Sequence, residues 1–277
     1  VANGQADYLS LWRELSLQER KQTDRGQRGN DPWRERASRF EASARRRGAG
    51  EKDVLVDALA DLVRPTDALV DIGAGIGRWA ISLARVAERV TALDSSPAML
   101  ALLREKAAAF TNITVVEAAW EDAEVGPHDV ALCSHAMYLN PDLVGFVSKM
   151  ERVAHRLCAL VLRVPSHDGV IGELAQRIHG RWHDSPNFAL AFNILLGAGI
   201  CPNVLMEPAV RRWTDGTLDD AVARAKRHLR LGETTAHDGA IREALDRRLV
   251  AREGHWVWPD GMRSALVWWS PSKADGA

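Results

Sequence analysis

Between Ala68 and Val164 the sequence alternates short apolar runs with longer amphipathic stretches, and this alternation limits the fold more than any other feature. A buried parallel strand reads as a short apolar run, and pairing the next strand in parallel needs a crossover, usually helical. The pattern therefore predicts βαβ units and an open, mostly parallel sheet. Strands are expected at Ala68 to Ile72, Val90 to Asp94, Ile113 to Glu117, Val130 to Cys133 and Leu157 to Val164. Ser95-Ser96 before Pro97, and Asn140 before Pro141, each set a capping side chain ahead of a proline. Helices are expected there, over about 97–110 and 141–155. An earlier helix runs from Asp53 to Val63 and is closed by Pro65.

The flanks read differently. Residues 1–52 are rich in Arg with a few spaced aromatics and predict short helices, one starting with Asp31 as N-cap and Pro32 at its first position, so that Trp33, Ala37 and Phe40 share a face. The division that follows is a helical lid segment over 1–52 and a main domain over 53–277, with helical insertions near 168–185 and 215–253. A helix from Asn187 to Ala198 stops at Gly199, a strand follows around Val204 to Trp213, and Thr217 with Asp220 forms an acidic variant of a capping box. Near the end come strand-like Trp256 to Trp258, a Pro259-Asp260-Gly261 turn, and Ala265 to Trp269 as an antiparallel strand completing the sheet.

Charge and cysteine content remove several function classes. Lys and Arg (36) balance Asp and Glu (37), so the global field offers no reason to bind polyanions. The three cysteines, Cys133, Cys158 and Cys201, cannot form a disulfide framework or a four-thiolate metal site, which fits a reducing, cytoplasmic setting. No leader pattern opens the chain and no apolar run is long enough to span a bilayer, so no membrane partner is expected.

The ligand-bearing motif is Val70-Asp71-Ile72-Gly73-Ala74-Gly75-Ile76-Gly77, where a buried strand turns into a helix. Glycines there let backbone approach a ligand, and the helix start offers free N–H groups. Arg78 stands where a dinucleotide fingerprint has its third glycine, and Asp71 would repel a pyrophosphate but favour a bound ammonium group. About 20 residues on, Asp94 ends the second strand, where a carboxylate accepts from both hydroxyls of a ribose. After the third strand, Ala119-Trp120-Glu121 offers an indole and a carboxylate to an adenine; core packing is the alternative for Trp120.

Together with Cys133-Ser134-His135 at the fourth strand end, these segments resemble the class I S-adenosylmethionine-dependent methyltransferases, over about residues 53–213 plus the last strand. The resemblance implies a Rossmann-like, doubly wound, seven-stranded sheet, mostly parallel with an antiparallel last strand, carrying helical insertions as a lid. It implies S-adenosylmethionine as cofactor, with contacts from Asp71, Gly73, Ala74, Gly75, Gly77, Asp94, Ser95, Ala119, Trp120, Glu121 and Ser134. Ala119 departs from the Asp found there in many members. The fourth strand end lacks the Asn/Asp-Pro-Pro-aromatic motif of enzymes acting on nucleic-acid bases, and lacks the aspartate of magnesium-dependent catechol methyltransferases. A small-molecule acceptor without a metal is therefore expected, and no nucleic-acid partner.

Methyl transfer from a sulfonium is an in-line displacement, so alignment and exclusion of water are the main requirements. His135, at the carboxyl edge of the sheet, is the candidate base, with Tyr138 orienting the acceptor; the alternative for His135 is a cap or a packing contact. Candidate pocket residues are Trp33, Arg36, Phe40, His167 and Asn193, each of which surface or core packing also explains. His179 and His183 lack a third ligand at a metal-binding spacing. The competing readings are an NAD-dependent oxidoreductase, a nucleic-acid methyltransferase drawing on the Arg-rich stretch Arg20 to Arg47, and a protein that binds the adenosyl ligand without turnover.

Overall fold

The computed structural model describes residues 7–25, 31, 33, 53–165, 169–182, 185–208 and 211–272. Five parallel strands come first: β1 (Ala68–Ile72), β2 (Arg89–Asp94), β3 (Ile113–Glu117), β4 (His128–Ser134) and β5 (Ala154–Val164). β6 (Asn203–Met206) and the long β9 (His255–Trp269) complete the order β3-β2-β1-β4-β5-β9-β6, with β9 antiparallel to both neighbours. The main sheet thus has seven strands, one of them antiparallel. β7 (Arg211–Asp215) and β8 (Val250–Arg252) pair with the first half of β9 and bring the total to nine.

Helices cover both faces. α2 (Val54–Leu62), α3 (Arg78–Leu83) and α4 (Pro97–Lys106) lie on one face, over the core that holds Leu69, Val90, Leu132 and Val161. α5 (Leu143–Val153), α7 (Phe188–Gly197) and the amino-terminal α1 (Tyr8–Arg25) cover the other. α5 shows why: Leu143, Phe146, Val147, Met150 and Val153 recur at helical spacing and are all buried, each worth roughly 1.5–3 kcal/mol against water. Side chains set the starts, with Asp53, Ser96, Asp142 and Asn187 each accepting a first-turn N–H.

A third, smaller core forms at one end from α6 (Val170–His179), α8 (Leu218–Leu229), α9 (Asp238–Arg248) and Trp258 of β9. The two stretches read from sequence as separate insertions therefore come together as one cover. Asp215 anchors it: Arg224 grips both carboxylate oxygens and Trp258 Nε1 donates at 2.7 Å. Burial alone would raise the Asp215 pKa, but Arg224 and Trp258 outweigh it and hold it low. The Thr217–Asp220 capping box opens α8 as expected.

Four expectations need correction. Pro259-Asp260-Gly261 is no hairpin turn; β9 runs straight through it, with a register shift against β7. Proline has no N–H to donate, and a bulge is where a strand tolerates it. The strand read over Val204 to Trp213 is two, β6 and β7, each pairing with a different part of β9. The helix expected from Pro141 is capped by Asp142 and gives way to β5 at Ala154. Helix before Glu253 stops at Arg248, and Val250–Arg252 is strand.

Candidate active site

The glycine turn between β1 and α3 is shaped by three left-handed glycines, Gly73 (φ 71°), Gly75 (φ 57°) and Gly77 (φ 87°). Gly73 is needed for close approach: a Cβ there would lie 2.2 Å from Ala136 Cβ, on the loop after β4. At Gly75 a Cβ would meet nothing within 4 Å, so this stretch of backbone faces open space. Gly73 and Ala74 donate to Leu93 O, which fixes the turn against the end of β2.

Two carboxylates organise this turn. Asp71 is 1% exposed and accepts from Ala80 N at 3.0 Å through Oδ2, while its buried Oδ1 has no partner. Burial pushes its pKa up to about 7, against the Ala80 N–H and with help from the charge of Asp94. Asp94 accepts from Gly75 N and Ser96 N, each at 2.8 Å, and burial raises its pKa despite those bonds. A carboxylate has about four lone-pair sites, so Asp94 keeps capacity for another donor. Ser95, beside it, is exposed.

Sequence reading had made Asp31 the cap of its own following helix. Its Oδ1 does accept from Trp33 N at 2.9 Å, but its Oδ2 crosses to α4, accepting from Ser96 Oγ at 2.6 Å and Ala98 N at 3.1 Å. Asp31 and Trp33 therefore sit at the Asp94 end of the edge. Arg36, Phe40, His167 and His183, and the helix expected over 32–40, lie outside the described residues.

Trp120 lies in the core, 4% exposed, its ring 6.0 Å from Phe146 with Lys149 Nζ over it. Ala119 O caps the next turn, and Glu121 is exposed and accepts from Asn140 Nδ2 at 2.6 Å. Asn193 turns back onto its own helix, donating to Ala189 O at 2.7 Å.

Past β4, Ser134 is half-buried and His135 adopts φ 57°, a left-handed conformation that costs a non-glycine residue energy. Its N–H is fixed to Val161 O, and both ring nitrogens have partners: Nδ1 lies 3.1 Å from Tyr138 OH and Nε2 3.3 Å from Ser264 Oγ. Tyr138 is buried, its OH accepts from Arg163 N at 2.6 Å, and burial raises its pKa, so the phenol stays protonated. Ser264 and Arg163 face each other across β9 and β5. Neither was found in the sequence reading. Arg163 had a signal, a charge ending an apolar strand; Ser264 had none without the β9 register.

α1 closes this side. Trp12 is 1% exposed and donates through Nε1 to Asn140 O, next to the Tyr138 segment. Glu14 and Gln18 hold Arg181, and Glu19 pairs with Arg230 at the end of α8, tying α1 to the cover. Among the described residues no three His, Cys, Asp or Glu are grouped to hold a metal ion. Cys133 and Cys158 are buried, and burial pushes both thiols well above their ordinary range, away from nucleophilic use.

A glycine turn, a carboxylate ending the second strand, and polar side chains gathered at the fourth and fifth strand ends of a sheet with one antiparallel strand define the class I methyltransferase architecture. Residues 69–156 match the family model described as a methyltransferase domain. Two solved structures share the fold. A methyltransferase candidate from Bacillus halodurans is 16% identical, with a TM-score of 0.54 over 79% of this chain and 99% of its own. The YcgJ protein of Bacillus subtilis is 15% identical, with a TM-score of 0.53 over 79% and 99%. No curated protein gives a significant match.

Proposed function

We propose that the protein transfers a methyl group to a small-molecule acceptor held between the His135 edge and the wall made by α1 and the cover. The observation that carries this reading is one sheet edge bearing the open backbone at Gly75, the Asp94 carboxylate and the left-handed His135. The residues fit an adenosyl ligand: the turn leaves Gly75 free of neighbours, Asp94 keeps lone pairs for ribose hydroxyls, and Asp71 holds a buried oxygen without a partner. S-adenosylmethionine, when bound, supplies an electrophilic methyl carbon on a positively charged sulfur.

The chain's own groups do the rest. Gly73, Ala74, Gly75 and Gly77 shape the turn that admits the ligand, and Asp94 orients its ribose. His135 takes the acceptor's proton. Two proton arrangements satisfy its neighbours; the one with a proton on Nδ1, donated to the Tyr138 oxygen, puts the lone pair on Nε2, where an acceptor's hydroxyl replaces that of Ser264 and loses its proton to the base. Tyr138, anchored by Arg163 N, keeps the imidazole in that orientation. A small acceptor is supported by the contacts of α1, whose Trp12 reaches Asn140 beside Tyr138 and whose Glu14, Gln18 and Glu19 hold Arg181 and Arg230.

Calorimetric titration with S-adenosylmethionine, S-adenosylhomocysteine and NAD(H) tests the reading. Micromolar binding of the adenosyl pair is expected, weakened in Asp94→Ala by about 1.5–3 kcal/mol, the worth of hydrogen bonds to a charged group. Binding of NAD(H) alone would restore the oxidoreductase reading, and tight adenosyl binding with no turnover across a broad acceptor screen would leave a non-catalytic binder.

A further inference from the structure

Several arginines of this domain end on carboxylates: Arg78 on Asp53, Arg156 on Asp67, Arg181 on Glu14, Arg224 on Asp215 and Arg230 on Glu19. Arg163 does not. Among the described residues no acidic side chain pairs with it, and its Nε is buried with no hydrogen-bond partner. Glu207, carried to the same end of the sheet just past β6, accepts from Ser264 N instead. The guanidinium lies over the Tyr138 ring, 4.3 Å from its centroid, and that phenol stays protonated, so it supplies a π face and no counter-charge.

A buried guanidinium N–H without an acceptor is unfavourable, and the planar fork of N–H donors on the half-exposed Arg163 matches a carboxylate or phosphate in two-point contact. The position is on the acceptor side: Tyr138 both carries the guanidinium on its ring and touches His135 Nδ1, so a group held at Arg163 leaves the rest of the molecule beside His135. Arg263, exposed and paired with Val164 on β9, adds a second positive charge to this end of the sheet. We infer that Arg163 is the anion-binding residue of the acceptor site, and that the methyl acceptor carries a carboxylate or a phosphate group. This rests on the methyltransferase reading above and narrows its substrate class.

The test uses the full chain saturated with S-adenosylhomocysteine, titrated by calorimetry with benzoate, with inorganic phosphate and with benzamide as uncharged control. One of the two anions should bind, and benzamide at least about tenfold more weakly. Arg163→Met should lose about tenfold or more in anion affinity while binding S-adenosylhomocysteine as wild type does, and Arg163→Lys, keeping charge without the fork, should fall between. A benzoate response assigns a carboxylate and a phosphate response a phosphoryl group. If Arg163→Met fails to fold, the benzoate-benzamide contrast in wild type and the Arg163→Lys titration decide. The proposal falls if neither anion binds wild type, or if the anion binds equally well without Arg163. Failure of wild type to bind S-adenosylhomocysteine would instead strike the methyltransferase reading.

Discussion

The proposed cofactor half and the proposed acceptor half of the sheet edge are assembled over different distances along the chain. In the first, Gly75 donates to Asp94 from 19 residues away, and Asp71 Oδ2 accepts from Ala80 only 9 residues on. In the second, Trp12 meets Asn140 across 128 residues, His135 meets Ser264 across 129, and Glu19 meets Arg230 across 211. The first half is one βαβ unit folding on itself. The second exists only once remote segments have converged, so its chemistry depends on the completed tertiary structure.

The sharpest way to break this contrast is at His135. Asparagine tolerates a left-handed φ, so His135→Asn should keep the backbone and S-adenosylhomocysteine affinity while lowering kcat by about 10²–10⁴, the usual worth of a general base. A collapse of ligand affinity with unchanged kcat would move His135 into the cofactor half.

Asp71 offers a pH test within the other half. Its folded pKa of about 7 lies above the ordinary 3.8, so its contribution to stability is fully present below pH 4 and lost as pH rises through 7. Asp71→Asn keeps an acceptor for Ala80 N and removes the titration. Relative to wild type the variant should gain on the order of 2–4 kcal/mol between pH 4 and 8, read from urea unfolding. A flat difference would remove burial of a charge as the cause.

Two glycines separate packing from ligand space. Gly73→Ala meets Ala136 and a left-handed φ together and should lose roughly 2–4 kcal/mol of stability. Gly75→Ala meets only the φ, so it should lose about 1 kcal/mol, with its larger effect on S-adenosylhomocysteine affinity. The reverse order would mean that the open space at Gly75 is not ligand space.

The smallest effect is expected at the tie between α1 and the cover. Glu19→Gln removes a partly exposed ion pair worth about 1 kcal/mol at most, a fall in Tm of roughly 2–4 °C. S-adenosylhomocysteine affinity should not change, because the pair joins α1 to the end of α8 and not to the glycine turn.

The same contrast explains what could be read in advance. β1 and β3 matched their residues to the letter, and the starts of α2, α4 and α8 followed from Asp53, Ser96 and Thr217, because strand runs and caps are written within a few residues. The glycine turn after β1 and the place of Asp94 at the end of β2 were legible for the same reason. Ser264 and Arg163 were not, since their meeting depends on the register of β9 against β5. Pro259-Asp260-Gly261 misled because turn chemistry and bulge chemistry use the same residues. Asp31 accepts from the local Trp33 N–H as a cap does, but that the far-off start of α4 shares the same carboxylate could not be read locally.

The continuity of β9 carries a consequence for synthesis. One half of the strand completes the main sheet between β5 and β6, and the other half seats β7, β8 and Trp258 in the core of the cover. Neither the His135–Ser264 contact nor the cover can close before residues 255–269 have left the ribosome. The glycine turn and Asp94, by contrast, need nothing later than β4 and β5 around them. A nascent chain therefore has its glycine turn and Asp94 in place long before His135 meets Ser264, and under the proposed function an adenosyl ligand bound in that interval would find no partner to methylate.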